Sequence, residues 1–167
     1  LALSKERGAG SRTPLLEVLR ARRFQRTKKI DGFIVRGGEL AAEHDRIFAE
    51  DPCRLIRVFR HRQQLDCTLD FDLRALVRAS GELLTPAVVA SPDANQSFMS
   101  LLEEAGKVHP ALAEMHELGI LGRFVPEFDK LTCLVQHEYY HRYTADIHTL
   151  NAIRELDNVF AAPDPAT

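Results

Sequence analysis

Hydrophobic residues from about position 44 onward recur with the spacing of amphipathic helices, and capping residues divide this pattern into separate helices. The clearest helix start is Asp51-Pro52, a carboxylate that can accept from free N–H groups followed by a proline suited to the first turn. The predicted buried stripe of this helix comprises Leu55, Ile56, Val58 and Phe59. Its basic residues are predicted to form a solvated face, namely Arg54, Arg57, Arg60, His61 and Arg62.

Capping residues and helix-breaking residues indicate where the other helices begin and end. One helix is predicted over 69–80 and another from Thr85-Pro86. A third is predicted over 93–105, with Phe98, Leu101 and Leu102 facing inward. A fourth is predicted from His109-Pro110 to Gly119, with Leu112 and Met115 facing inward. The chain then breaks at Gly122 and Pro126 and is predicted to continue helical through Leu131, Leu134 and Val135. A last helix, capped by Thr144 or Asp146, is predicted to bury Ile147, Leu150, Ile153 and Leu156.

The segment DGFIVRGGELAA interrupts the helical spacing. Gly37-Gly38 can supply the positive φ angles of a tight turn, which predicts a β-hairpin of 31–36 paired with 39–42. Residues 1–13 are predicted to be a linker, and Thr13 can cap a helix beginning at Pro14 with an apolar stripe at Leu15, Leu16, Val18 and Leu19. The predicted fold is therefore mainly α, a helical bundle-like domain of about seven helices with one small β-hairpin.

The composition is that of an ordinary globular protein, with 167 residues of which 45% are hydrophobic and 28% charged. No apolar run approaches the roughly 18 residues that a membrane helix needs, so no membrane association is expected. The three cysteines are widely spaced, which favours reduced thiols over a disulfide framework or a zinc knuckle. Because the chain opens with Leu1, we expect a fragment of a longer protein.

Charge is distributed unevenly along the chain. Residues 1–30 contain nine Lys and Arg against Glu6 and Glu17, a net charge of +7, whereas the whole chain carries −2. The basic segment, concentrated in 20–29, suits either an anionic partner or packing against an acidic domain. Phe24 is its single aromatic residue, and without more stacking groups nucleic-acid binding is not expected.

The densest group of metal-capable residues is QHEYYHRYTADIHTL, residues 136–150. On one continuous helix His137, His141 and His148 would share a face and could chelate a divalent ion. A cap at Thr144 would instead restart the helix and separate His148 from the other two, whose interpretation as structural or interdomain polar groups is then favoured. The chain contains no HExxH, no glycine-rich phosphate-binding motif and no nucleophile elbow.

Four segments, in order, resemble the bacterial PII uridylyltransferase/uridylyl-removing enzymes: RRFQRTKKIDGFIVRGGELA, IFAEDPCRLIRVFRHRQQ, ELGILGRFVPEF and QHEYYHRYTADIHTL. The resemblance implies a cytoplasmic enzyme with a nucleotidyltransferase domain, a helical domain, an HD-type phosphohydrolase domain and ACT domains that sense glutamine. Such an enzyme transfers UMP from UTP to the protein PII and removes it again. On this basis residues 14–135 are the helical domain, and 136–167 begin a truncated HD-type domain.

The resemblance also implies a role for one residue of this chain. HTLNAI looks like the opening helix of an HD domain, so His148 would be the first ligand of a divalent metal, Mg or Mn, in the full-length protein. The remaining ligands and the transferase motif are absent from the sequence, so the fragment is expected to be inactive and to hold no metal tightly. No catalytic and no cofactor-binding residues are assigned.

Two alternatives remain at this point. One is a free-standing helical regulatory module with no enzymatic parent. The other is a domain of another nucleotidyltransferase-HD protein, such as a tRNA nucleotidyltransferase relative, although the net charge of −9 over residues 31–167 speaks against an RNA-binding surface.

Overall fold

The computed structural model describes residues 27–132 and 144–162. The predictions made for the linker 1–13, the helix from Pro14, and residues His137 and His141 lie outside these ranges.

A small four-stranded sheet opens the described chain. Its strands are β1 Lys28–Ile30, β2 Phe33–Arg36, β3 Glu39–Ala42 and β4 Thr68–Leu69, in that spatial order. β1, β2 and β3 pair antiparallel, and β4 pairs parallel with β3. The predicted hairpin is present, because Gly37 and Gly38 adopt φ angles of 62° and 83° and bring Val35 opposite Leu40.

The prediction was wrong about where the hairpin begins. Asp31 and Gly32 do not start a strand but form a second tight turn, with φ angles of 51° and 81°, that pairs β1 with β2. Asp-Gly is itself a strong signal for a hairpin turn, but the prediction from sequence placed both residues in a strand. β4 was not predicted because two residues are too few to show an alternating pattern.

The fold class is confirmed as mainly α with a small β element. Nine α-helices lie within residues 27–132 and 144–162: α1 Ile47–Glu50, α2 Arg54–Gln64, α3 Phe71–Ala79, α4 Pro86–Val89, α5 Pro92–Leu102, α6 Val108–Glu117, α7 Leu121–Phe124, α8 Pro126–Asp129 and α9 Ala145–Ala161. A 3₁₀ turn covers Gly81–Leu83. The number exceeds seven because four of these helices are single turns. The helix predicted through Leu131, Leu134 and Val135 ends at Asp129 within the described residues, and Leu134 and Val135 lie outside them.

Side-chain caps explain several helix starts. Thr85 Oγ1 accepts from the Val88 N–H at 3.4 Å and Ser91 Oγ from the Ala94 N–H at 3.3 Å. Asp51 Oδ1 accepts from the Cys53 N–H at 3.0 Å, as the sequence suggested, although regular α2 begins only at Arg54. Thr144 is the N-cap residue of α9, which confirms a helix start at that position.

The core is built around α2. Leu55, Ile56, Val58 and Phe59 are fully buried, as predicted, and α2 packs against α5 and α6. The buried Gln63 amide donates to the carbonyls of Leu101 and Lys107 at 3.0 and 2.9 Å, and so closes the end of α5 onto α2.

Two residues predicted to point inward do not. Leu102 is 37% exposed and Leu156 is 54% exposed. Both border one groove, which residues of α5, α6 and α9 line. None of the described helices is both long enough and apolar enough to cross a membrane.

Candidate functional site

The basic face of α2 is an ion-pair cluster and not a solvated surface, which corrects the prediction made from charge alone. Asp31, held in the β1–β2 turn, accepts from Arg54 Nε at 3.1 Å and from Arg57 Nε and Nη2 at 2.7 and 3.1 Å. The side chains of Arg54 and Arg57 are only 19% and 17% exposed. The cluster therefore fixes the hairpin to the central helix.

Burial and charge act against each other at this cluster. Burial tends to raise the pKa of Asp31, but hydrogen bonds from Arg57 and Arg54 hold that pKa below its ordinary value. His61 Nε2 lies 3.2 Å from Asp31 Oδ2 with its ring edge on Phe33, and burial lowers the pKa of His61 despite the carboxylate. The imidazole is therefore neutral near physiological pH, and the two arginines carry the positive charge.

A group of potential metal ligands lies beside the same helix. Asp51, Cys53 and Asp93 are, within the described ranges, the only set of three donors whose ligand atoms lie within 4.8 Å of one another. Arg57 forms ion pairs with both of these carboxylates. Because a guanidinium already supplies the positive charge, we interpret the group as structural and not as a metal site.

A second ion-pair cluster joins α2, α3 and α6. The buried carboxylate of Glu114 pairs with Arg62 Nε at 3.1 Å and with Arg74. Arg74 continues to Glu117 at 2.7 Å, which Arg78 also contacts at 3.3 Å. Removing Arg62 or Arg74 would leave the nearly buried Glu114 carboxylate with less compensation, so these contacts hold the three helices in a defined arrangement.

Helices α6 and α9 are joined by polar contacts at both ends. Asp157 Oδ2 accepts from the His109 N–H at 2.7 Å, so a side chain of α9 satisfies the N-terminus of α6. At the opposite end His116 Nε2 lies 3.1 Å from Asp146 Oδ2 in the first turn of α9. Asp146 and Asp157 are 3% and 7% exposed, and the order of the contacts shows that the helices run antiparallel.

His148, the predicted metal ligand, is exposed on α9, one turn after the N-cap residue. Its backbone N–H donates to the Thr144 carbonyl at 3.0 Å. Among the described residues His148 belongs to no three-donor group. An exposed imidazole has the donor chemistry of a divalent-metal ligand, but a single donor does not make a metal site.

The segment ELGILGRFVPEF forms a turn that approaches the α6–α9 junction. A Cβ at Gly122 would lie 2.8 Å from Asp129 Oδ1, so a larger residue there would force Asp129 on α8 to move. His116, Arg123 and Asp129 border a polar cleft of about 390 Å³ at this turn. The sequence showed the break at Gly122, but no local signal showed this close approach or the long-range ion pairs.

Comparisons with known proteins show which family the sequence resembles. A family described as "Uridylyltransferase GlnD third domain" matches residues 33–124, from β2 to the end of α7. The chain is 36% identical over 149 residues to the bifunctional uridylyltransferase/uridylyl-removing enzyme of Azospirillum brasilense, covering 89% of this chain and 16% of that protein.

Further relatives carry the same name. The proteins of Caulobacter vibrioides (strain NA1000 / CB15N) and Phenylobacterium zucineum (strain HLK1) are 36% and 39% identical over 141 and 142 residues. These matches cover 84% and 83% of this chain but 15% of each relative. The chain thus spans a small part of the length of the proteins it matches, and the similarity does not favour a tRNA nucleotidyltransferase relative.

Proposed function

The chain belongs to the family of bifunctional uridylyltransferase/uridylyl-removing enzymes, and on that basis we propose that it spaces and couples the two catalytic regions of such an enzyme. The observation that carries this proposal is the match of 33–124 to the family's third domain. The structure supports it, because two ion-pair clusters brace the sheet and helices without assembling a catalytic group among the described residues.

The activity of the full-length protein is part of the same proposal. It transfers UMP from UTP to the nitrogen-signalling protein PII, removes it again in the cytoplasm, and responds to glutamine. These partners are engaged by regions outside the present chain. The chain alone is therefore expected to unfold cooperatively but to show no turnover with UTP and PII or with uridylylated PII. Either activity in the purified chain would contradict the spacing role.

We assign His148 to the divalent-metal site of the removing reaction, with Mg²⁺ or Mn²⁺ completed by ligands from the rest of the protein. The metal would activate water for attack on the phosphodiester. The chain's own contribution is to present the imidazole on α9, which the His116–Asp146 and His109–Asp157 contacts hold against α6.

The test is His148→Ala in the full-length protein, with His44→Ala as a control at an exposed histidine. Manganese affinity, measured by calorimetric titration, should fall by more than about tenfold in the first variant only. The removing reaction should be lost while the transfer reaction stays near the parent rate. Unchanged manganese binding in His148→Ala would exclude the assignment.

A further inference from the structure

A groove of about 480 Å³ lies between β3 and α3. Its apolar walls include the small side chains of Ala41, Ala75 and Ala79, of which Ala75 and Ala79 are exposed one turn apart on α3. Carboxylates border the groove at Asp45, Asp70 and Asp72. A groove with small side chains and an acidic rim suits a basic amphipathic helix, because the helix can approach closely and its cations can meet the carboxylates.

The same chain contains a segment of matching character. Residues 14–26 lie outside the described part of the chain, and their sequence predicts a helix from Pro14. An apolar stripe of Leu15, Leu16, Val18 and Leu19 is followed by four arginines between positions 20 and 26. The stripe suits the alanine-lined walls, and the arginines suit the rim.

Residues 27–29 of the basic segment, which the structure describes, lie close to the groove. Lys29 forms an ion pair with Glu43, two residues before Asp45 on the rim. Lys29 on β1 lies opposite Ile34 on β2, and Ile34 lies opposite Ala41 on β3, which lines the groove. Lys29 is therefore two strand spacings, about 10 Å, from a wall of the groove. From Arg26, the last residue of the segment, to Lys29 there are three residue steps, which in extended chain span up to about 10 Å and so just cover this distance.

We propose that residues 14–26 dock as a helix in the groove between β3 and α3, with their arginines on Asp45, Asp70 and Asp72. This gives the basic segment an intramolecular partner and secures the outer side of α3. It does not depend on the activity of the full-length protein.

The experiment places a photoreactive benzoylphenylalanine at Phe71 of the complete chain. Phe71 is 84% exposed, lies between two rim carboxylates and shares a helix face with Ala75. After irradiation, mass spectrometry identifies the cross-linked peptide. A mixture of isotopically heavy and light chains separates cross-links within a chain from those between chains. We expect cross-links within a chain to residues 14–26.

Charge variants test the rim. Asp45→Lys with Asp72→Lys should lower the cross-link yield about fivefold, and adding Arg22→Asp with Arg23→Asp should restore it. Glu82→Lys with Glu127→Lys makes the same change in net charge at exposed sites away from the groove and should leave the yield unchanged. Cross-links that form only between chains, or only to residues after 26, would overturn the proposal. Equal cross-link yields in the rim variant and in the Glu82→Lys with Glu127→Lys control would also overturn it.

Discussion

Replacing Asp31 by Asn tests whether the ion-pair cluster on α2 fixes the hairpin. Asparagine keeps the size of the side chain and tolerates the φ angle of 51°, so the substitution removes mainly the charge. Hydrogen bonds to charged groups contribute roughly 1.5–3 kcal/mol when buried, and exposed ion pairs about 0–1 kcal/mol.

The geometry of the cluster places the expected loss of stability between the values for buried and exposed pairs. Asp31 is about one fifth exposed, and Arg57 would keep its pairs with Asp51 and Asp93. We therefore expect a loss of about 2 kcal/mol in the free energy of unfolding, which lowers the urea midpoint by about 1 M. The control is Asp66→Asn, since Asp66 has a similar φ angle of 47° but makes no ion pair with the described residues.

The pH dependence gives an independent check. A carboxyl whose native pKa is lowered stabilises the fold fully above its ordinary pKa of 3.8, and this contribution is lost as pH falls through the lower native value. The difference between wild type and Asp31→Asn should therefore be fully present near pH 7, where His61 is neutral, and disappear in strongly acidic solution, where Asp31 is protonated. A loss below about 0.5 kcal/mol near pH 7, or one equal to that of Asp66→Asn, would refute this account of the cluster.

Two further predictions concern the α7–α8 turn and α9. Gly122→Ala should cost about 1–3 kcal/mol in urea unfolding because a Cβ there would lie 2.8 Å from Asp129 Oδ1 and 3.1 Å from Asp129 Cβ. Part of the loss should return in Gly122→Ala with Asp129→Ala, which removes the nearer atom, and equal losses in both would contradict a clash with the carboxylate. Leu156→Ser with Phe160→Ser should change the free energy of unfolding in urea by less than about 1 kcal/mol, because both side chains are more than half exposed. The buried Leu150→Ser should instead destabilise the chain strongly.

The parts of the fold that the sequence predicted are those determined by nearby residues. The helix start at Thr85, the stop at Gly119 and the turn at Gly37-Gly38 depend on caps and φ preferences within a few positions. The buried stripe of α2 follows from helical periodicity alone.

The parts that could not be predicted depend on contacts between distant residues. The position of Arg57 on the polar face of α2 predicted that water surrounds its side chain, yet it pairs with Asp31, Asp51 and Asp93. The same holds for Glu114, which pairs with Arg62 and Arg74 from two other helices. Charge on a helix face shows that a partner is possible, but only the tertiary arrangement decides whether water or a carboxylate supplies it.

The α6–α9 junction links the candidate site to the body of the chain. Tilting α9 away from α6 would separate Asp157 from the N-terminus of α6 or Asp146 from His116, and either change removes one polar contact of a nearly buried carboxylate. Such a loss is costly, so small movements of α6 should be followed by α9 as a rigid unit. His148 lies only two residues beyond Asp146, and α6 is in turn held to α2 and α3 through Glu114. A displacement at the sheet or at α2 therefore has a continuous path of packed and charged contacts to the proposed metal ligand, as a domain that couples two catalytic regions requires.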